Sequence, residues 1–186
     1  GKMQSRTILL SVLFSAIILS VSHINIDSYN LPFKATFDSL DEETQKQVTC
    51  LADNMYFEAA SERIEGQKAV AFVTINRLLS GNYANDICGV VYQKINGTCQ
   101  FSWLCENKST KNRLAIRETL LYNNIRDLAI NMMINFKQFK DNTGGATFYH
   151  ADYVKPGWKL EKVEKIGRHI FYRNQKDEID RNRGII

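Results

Sequence analysis

Apolar residues recur at helical spacing in two consecutive segments between Asp41 and Gly81. The first segment, at 41–60, opens with acidic residues, which the positive end of a helix dipole favours. The second follows Ser61, a residue type that commonly caps a helix start, and it stops at Gly81, a typical helix terminator. The two segments predict adjacent helices, with Ser61 as the cap of the second.

The rest of the body predicts a helical domain with a minor sheet. We expect a third helix at about 111–139, an irregular lobe with short strands at 82–110, and strands at 146–150 and 164–173. A polar tail follows at 174–186, and residues 41–173 form the domain. The predicted fold class is α+β, mostly helical with a small β-sheet lobe. The 44% hydrophobic and 24% charged residues exclude wholesale disorder and a multi-span membrane protein.

The N-terminal segment is typical of protein export. Lys2 and Arg6 precede a stretch from Thr7 to Ile26 that contains no Lys, Arg, Asp or Glu. A basic start followed by an apolar run of this length is the pattern of a secretory signal. Three interpretations stay open: a cleaved signal peptide, an uncleaved signal-anchor that contacts the membrane, and a buried core helix. The first two place the body in the periplasm or cell envelope, behind a linker at 27–40.

The net charge and the cysteines further limit the class of protein. A net charge of +4 is too small to predict nucleic-acid binding. Cysteines that follow an export signal in even number favour disulfides, although sequence alone leaves three connectivities open. The absence of Cys-x-x-Cys and the scattered histidines argue against a zinc site. The disulfide candidates are Cys50, Cys88, Cys99 and Cys105.

Glu58 is the foremost candidate for acid–base chemistry. It lies at the predicted end of the first helix among Met55, Tyr56, Phe57 and Ala59. An apolar setting disfavours the charged form of a carboxyl group and so can keep a proton available for transfer. The alternative is a solvated residue on the outer helix face. Two further acids, Glu62 and Glu65, are expected to cap the next helix.

Two other segments combine aromatic and polar side chains in a way that suits sugar binding. One is Gln100-Phe101-Ser102-Trp103, in a loop flanked by cysteines. The other is the strand around Tyr149, His150 and Asp152. Alternation along a strand places His150 and Asp152 on one face and Tyr149 on the other. Core packing and an ordinary surface strand are the respective alternatives.

Several segments together resemble the cell-wall hydrolase family that includes the spore-cortex-lytic enzymes. They are residues 52–62, 66–71 and Asn76-Arg77; 87–92 leading to 99–103; 146–158; and 166–172. The resemblance implies a lysozyme-like fold of the lytic-transglycosylase type. It also implies cleavage of the β-1,4 bond between N-acetylmuramic acid and N-acetylglucosamine, with Glu58 as the catalytic acid. An export signal on a compact catalytic domain suits either a phage endolysin or a housekeeping wall hydrolase.

The resemblance also implies roles for the aromatic and polar segments. Gln100, Phe101, Ser102, Trp103, Tyr149, His150 and Asp152 are expected to bind glycan strands of peptidoglycan. The chemistry needs no metal or organic cofactor, and we expect a monomer. Asp152 is the candidate second carboxylate of a hydrolytic muramidase or glucosaminidase. A wall amidase and a non-catalytic glycan-binding module are the remaining alternatives.

Overall fold

The computed structural model describes residues 35–106 and 110–177. The chain divides into two units after Lys34, and all described residues belong to the second unit. The predicted export segment at 7–26 and most of the predicted linker lie outside the described residues. Among the helices of the described part, none is both long and apolar enough to cross a membrane.

Helices make up most of the described chain, and the strands are short. The helices are α1 (Glu42–Ala59), α2 (Ile64–Ser80), α3 (Ile87–Tyr92), α4 (Ser102–Cys105), α5 (Thr110–Arg117) and α6 (Leu120–Ile134). The strands are β1 (Lys94–Ile95), β2 (Thr98–Cys99), β3 (Phe148–Ala151), β4 (Glu161–Ile166) and β5 (His169–Arg173). Single 3-10 turns occupy Phe37–Ser39 and Phe136–Gln138. The α+β prediction is confirmed.

The first helix is fixed at its start by a side-chain cap. Asp41 accepts hydrogen bonds from the backbone N–H of Thr44 at 2.9 Å and from its hydroxyl at 2.7 Å. These bonds lower the pKa of Asp41, because they stabilise its carboxylate. The predicted helix at 41–60 is therefore confirmed to within a residue at each end.

The second helix is buried on nearly every side. One face packs in the main apolar core with α1, α3 and α6, and another packs through Ala69 and Val73 against Ala146 and Phe171 of the sheet region. A helix with neighbours all round sits at the centre of a domain. Gly81 ends it in a left-handed conformation, with φ of 70°, as predicted.

The three-stranded sheet has the order β3-β5-β4 and is antiparallel throughout. In its register Tyr149 lies opposite Phe171, and Ala151 lies opposite His169. β3 is therefore an edge strand of the sheet. A separate two-stranded ribbon pairs β1 with β2, which confirms the irregular lobe with short strands.

Three local predictions are wrong. Ser61 does not cap α2, because that helix begins three residues later, after Arg63. The predicted helix at 111–139 is two helices, because Thr119 accepts a hydrogen bond from the N–H of Tyr122 and so starts a new helix. This break leaves Leu120, the first residue of the new helix, 76% exposed. The predicted strand at 164–173 is a hairpin, which turns at Gly167 with φ of 56°.

The predicted disulfides are present, and the structure gives their connectivity. Cys50 pairs with Cys88, which joins α1 to α3, and Cys99 pairs with Cys105, which closes the loop between β2 and α4. The two bridges close loops of very different length, with sequence separations of 38 and 6 residues.

The disulfide that closes the longer loop is predicted to contribute more to the free energy of unfolding. Loop-closure entropy gives about 4 kcal/mol for Cys50–Cys88 and about 2 kcal/mol for Cys99–Cys105. Urea unfolding of the two double Cys→Ser variants measures both values. Equal losses, or a larger loss from the short loop, would contradict this order.

Candidate active site

A cleft of about 420 Å³ opens between the end of α1, the loop closed by Cys99–Cys105, and the edge strand β3. It brings together residues that the sequence analysis selected from three separate segments. Glu58 comes from α1; Gln100, Phe101, Ser102 and Trp103 come from the disulfide loop; and Tyr149 and His150 come from β3. Helix, loop and sheet thus meet at one site.

Glu58 lies in the last turn of α1, partly exposed to this cleft. The hydroxyl of Tyr149 is buried close to it. Burial raises the pKa of Tyr149 well above its usual value, and the negative charge of Glu58 raises it further. Tyr149 therefore stays protonated through the physiological range and presents a hydroxyl group beside the carboxylate.

Arg77 supplies a positive charge near Glu58. It comes from α2, lines the cleft, and is only 4% exposed. Its Nε donates a hydrogen bond of 2.7 Å to the carbonyl of Thr147. Burial lowers the pKa of Arg77, and the neighbouring groups Tyr83, Tyr149, Asp177 and Glu58 oppose that effect. An arginine nevertheless stays protonated in proteins, so the site holds a fixed cation.

Aromatic rings surround this cation. The guanidinium carbon of Arg77 lies 5.3 Å from the ring centroid of Tyr83, 5.0 Å from that of Phe101 and 5.5 Å from that of Phe148. The negative faces of aromatic rings attract a cation within about 6 Å. Nη1 of Arg77 is buried without a hydrogen-bond acceptor among the described residues, so these rings provide much of its stabilisation.

A buried hydrogen-bond chain fixes the aromatic wall beside Glu58. The indole N–H of Trp103 donates to Asn54 Oδ1 at 2.9 Å, and Asn54 Nδ2 donates to the hydroxyl of Thr74 at 3.2 Å. The Trp103 ring stacks on Phe57, with centroids 4.6 Å apart. Asn54 lies one helical turn before Glu58. Helix α1 therefore both carries the Glu58 carboxylate and positions the aromatic wall formed by Phe57 and Trp103.

His150 is among the residues that line the cleft, and both of its ring nitrogens have protein partners. Nδ1 lies 2.8 Å from the carbonyl of Ala151, and Nε2 lies 3.0 Å from the hydroxyl of Tyr172. A carbonyl only accepts, so Nδ1 carries the hydrogen and Nε2 accepts from Tyr172. This pairing holds the ring in one orientation.

The remaining predicted acids lie outside the cleft lining. Asp152 forms an ion pair of 3.0 Å with Lys165 on β4 and does not share the cleft with His150 as we expected. Glu65 pairs with Lys68 at 3.0 Å. Glu62 precedes α2 and does not cap it. Its Oε1 accepts from the N–H of Arg168 at 3.2 Å, in the turn between β4 and β5.

Comparisons with known proteins agree with this architecture. The sequence profile of the Cell Wall Hydrolase family matches residues 61–172. The chain belongs to this family. The profile match begins after Glu58, so it assigns no role to that residue.

Curated relatives carry a common name. The chain is 27% identical over 131 residues to a spore cortex-lytic enzyme of Halalkalibacterium halodurans, covering 69% of this chain and 35% of that protein. It is 24% identical over 131 residues to the spore cortex-lytic enzyme of Bacillus subtilis, covering 69% of this chain and 38% of the relative. The chain thus spans little more than a third of the length of these two relatives.

Solved structures extend the likeness to the fold. The catalytic domain of the germination-specific lytic transglycosylase SleB from Bacillus anthracis has a TM-score of 0.52 and 26% identity, covering 69% of this chain and 95% of that one. The catalytic domain of Bacillus cereus SleB gives a TM-score of 0.51 at 26% identity, covering 69% and 91%. The predicted lysozyme-like fold is confirmed.

Several residues that line the cleft were not predicted from the sequence. In the sequence, Arg77 was named only as part of a segment that resembles the cell-wall hydrolase family. Its position in a helical pattern gave no sign that contacts with the sheet region would bury it. Glu106 directly follows the disulfide loop, and His169 lies opposite Ala151 on β5. Burial lowers the pKa of His169 and so favours its neutral form. The feature that could have indicated Glu106 was its position next to Cys105. The feature that could have indicated His169 was the pairing of its strand with β3.

Replacement of Asn54 by Ala tests the hydrogen-bond chain. It leaves the buried indole N–H of Trp103 without its acceptor, which costs about 1–3 kcal/mol. We expect a matching loss in the free energy of unfolding in urea and a change in Trp103 fluorescence. Thr74→Val is the comparison variant. It removes the second bond of the chain and the bond of the Thr74 hydroxyl to the Val70 carbonyl, but it leaves the Trp103 bond in place. A fluorescence change in Thr74→Val as large as that in Asn54→Ala would refute the importance of the Trp103 bond.

Proposed function

We propose that this protein cleaves the β-1,4 bond between N-acetylmuramic acid and N-acetylglucosamine in peptidoglycan, as a lytic transglycosylase. Its membership of the cell-wall hydrolase family and its likeness to catalytic domains described as lytic transglycosylases support this assignment. The observation that carries the proposal is the placement of Glu58 in the cleft, where Tyr149 and Arg77 also lie and interact electrostatically with it.

In the first step, Glu58 donates a proton to the glycosidic oxygen as the bond from C1 of the muramic acid breaks. Positive charge then develops on C1 and the ring oxygen. The carboxylate left on Glu58 lies near this charge, and the guanidinium of Arg77 stabilises the carboxylate from the protein side. Tyr149 holds a hydroxyl group beside both.

In the second step, the 6-hydroxyl of the same muramic acid attacks C1. Glu58 accepts the hydroxyl proton and returns to its starting state. The product is a 1,6-anhydro ring, and no water is consumed. Gln100 and Ser102 supply polar groups from the disulfide loop, and the partly exposed His150 supplies a surface against which a sugar packs. Phe101 and Trp103 are only 2% and 3% exposed, so they support the cleft from beneath.

A hydrolytic reaction on the same fold is the second candidate. It requires a second carboxylate that activates water or bonds to C1. Asp152 was the expected group, but its ion pair with Lys165 holds it outside the cleft lining. Glu106 does line the cleft, and it is therefore the residue that a hydrolytic mechanism would use.

The proposed substrate and the two disulfides favour action outside the cytoplasm, because disulfides persist in oxidising compartments. We propose that residues 7–26 direct export, that residues 41–173 form the body of the catalytic domain, onto which Asp177 also packs, and that the protein acts as a monomer. Recovery of the protein from the envelope fraction with its thiols unreactive tests the first point. Four free thiols in that fraction would contradict it.

Replacement of Glu58 by Gln tests the acid–base assignment. Glutamine keeps the shape of the side chain but carries no transferable proton, so we expect the rate of peptidoglycan clearing to fall by about 10²–10⁴-fold. Glu65→Gln is the matched control, since Glu65 pairs with Lys68 away from the cleft. Wild-type clearing by the Glu58 variant would refute the assignment.

Digestion in heavy-oxygen water separates the two reactions. A lytic transglycosylase leaves anhydromuramic ends that contain no label, because the new bond to C1 comes from the sugar's own hydroxyl. Mass spectrometry of the released fragments measures this directly. Labelled, hydrated muramic ends would establish hydrolysis, and loss of that label in Glu106→Gln would then identify the second carboxylate. Free stem peptides with intact glycan would favour an amidase instead.

A further inference from the structure

The loop between β3 and β4, residues 152–160, presents aromatic side chains to solvent. Tyr153 is 75% exposed and Trp158 is 43% exposed. Exposed apolar groups that cluster in one place are more often binding surfaces than isolated ones are. Neither residue is needed for the reaction described above.

Trp158 is held in place although it is exposed. Its ring centroid lies 5.7 Å from that of Phe148, 5.6 Å from that of His150 and 5.8 Å from that of Tyr172. All three contacts are close to perpendicular, with interplanar angles of 65°, 71° and 89°. Edge-to-face packing of this kind is favourable between aromatic rings. The indole is therefore supported by three rings and keeps a large open surface.

The support of Trp158 is itself fixed. His150 stacks on Tyr172 with centroids 5.2 Å apart, and its Nε2 accepts the Tyr172 hydroxyl at 3.0 Å. The backbone pairing of β3 with β5 holds Phe148 opposite Tyr172. A ring held on an ordered sheet loses little conformational entropy when a ligand packs on it.

His150 links this aromatic surface to the catalytic cleft. His150 lines the cleft and also contacts Trp158. Tyr153 and Val154, from the same loop as Trp158, line the cleft as well. Trp158 therefore lies one residue beyond the cleft lining.

We propose that Trp158 forms an additional sugar-binding subsite, which holds an N-acetylated hexose of the same glycan strand beyond the residues that react. A pyranose ring presents C–H groups on its faces, and these pack against the electron-rich face of an aromatic ring. The subsite selects long glycan strands over short fragments. This inference rests on the proposed function, because the occupant is the same strand that Glu58 cleaves.

Binding measured without turnover tests the subsite. The Glu58→Gln variant serves as the background, and N-acetylglucosamine oligomers from the disaccharide to the hexasaccharide serve as probes in calorimetry. Trp158→Ala should weaken binding of the hexasaccharide by roughly tenfold, since one aromatic contact is lost. Affinity for the disaccharide should stay unchanged, and Trp158→Phe should recover part of the loss for the longer oligomer.

Ile134→Ala is the matched control. Ile134 has the same exposed fraction of 43% but lies on α6, outside the cleft lining. It should leave every affinity unchanged. Circular dichroism and thermal unfolding verify that each variant is folded, and Trp158→Phe remains informative if the alanine variant is not.

The other outcomes overturn the proposal in distinguishable ways. Equal weakening for all lengths would show that Trp158 acts only by supporting His150 in the cleft. Unchanged binding at all lengths in Trp158→Ala would remove the subsite but leave the proposed function intact. Failure of the Glu58→Gln background to bind any oligomer, together with undiminished clearing by that variant, would overturn the proposed function and the subsite together.

Discussion

Two hydrogen bonds from neighbouring residues of α2 hold the sheet against the helices. Asn76 Nδ2 donates to the carbonyl of Ala146 at 3.1 Å, and Arg77 Nε donates to the carbonyl of Thr147 at 2.7 Å. The two carbonyls immediately precede β3, so these bonds set where the edge strand runs. The cleft exists because β3 is held in this way beside the end of α1.

Burial of the Arg77 guanidinium carries a desolvation penalty that the surroundings must offset. Three aromatic rings and the carbonyl of Thr147 supply part of the compensation. Asp177 supplies a negative charge, and its carboxylate accepts hydrogen bonds from Thr147, Tyr83 and Asn82. The folded unit therefore reaches beyond β5, into residues that we had assigned to a polar tail. The same cation then serves the cleft, so stability and the proposed chemistry depend on one buried side chain.

Local sequence patterns predicted those structural features that depend only on residues close together in the sequence. The bounds of α1, the stop at Gly81 and the alternation along β3 follow from caps, spacing and strand geometry. The break before α6 exists because Thr119 caps a new helix instead of lying inside a continuous one. The spacing of the apolar residues does not distinguish these two roles of a threonine. The turn at Gly167 was equally hidden, because the adjoining residues continue a strand-like pattern.

The parts that sequence could not supply depend on contacts between distant segments. Arg77 and Thr147 are 70 positions apart, and neither residue alone signals the other. The same limit explains Asp152. Strand alternation predicted that Asp152 would share a face with His150, but β3 ends at Ala151 and the neighbouring strand offers Lys165 as a partner for the carboxylate. The positions of candidate residues along the chain were therefore easier to predict than their mutual geometry.

The rigidity of the cleft bears on which nucleophile reaches C1. A hydroxyl of the same sugar competes with water only if the ring is held so that this hydroxyl is aligned, and good alignment is equivalent to an effective concentration of roughly 10⁵ M or more. Several side chains that line the cleft are held in one orientation by contacts within the protein. Trp103 is held by Asn54 and by its stack on Phe57, and His150 is held through both ring nitrogens. Under the proposed mechanism, these restraints matter as much as the single carboxylate, because loosening a wall would admit water to C1 and convert the same acid–base residue to hydrolysis.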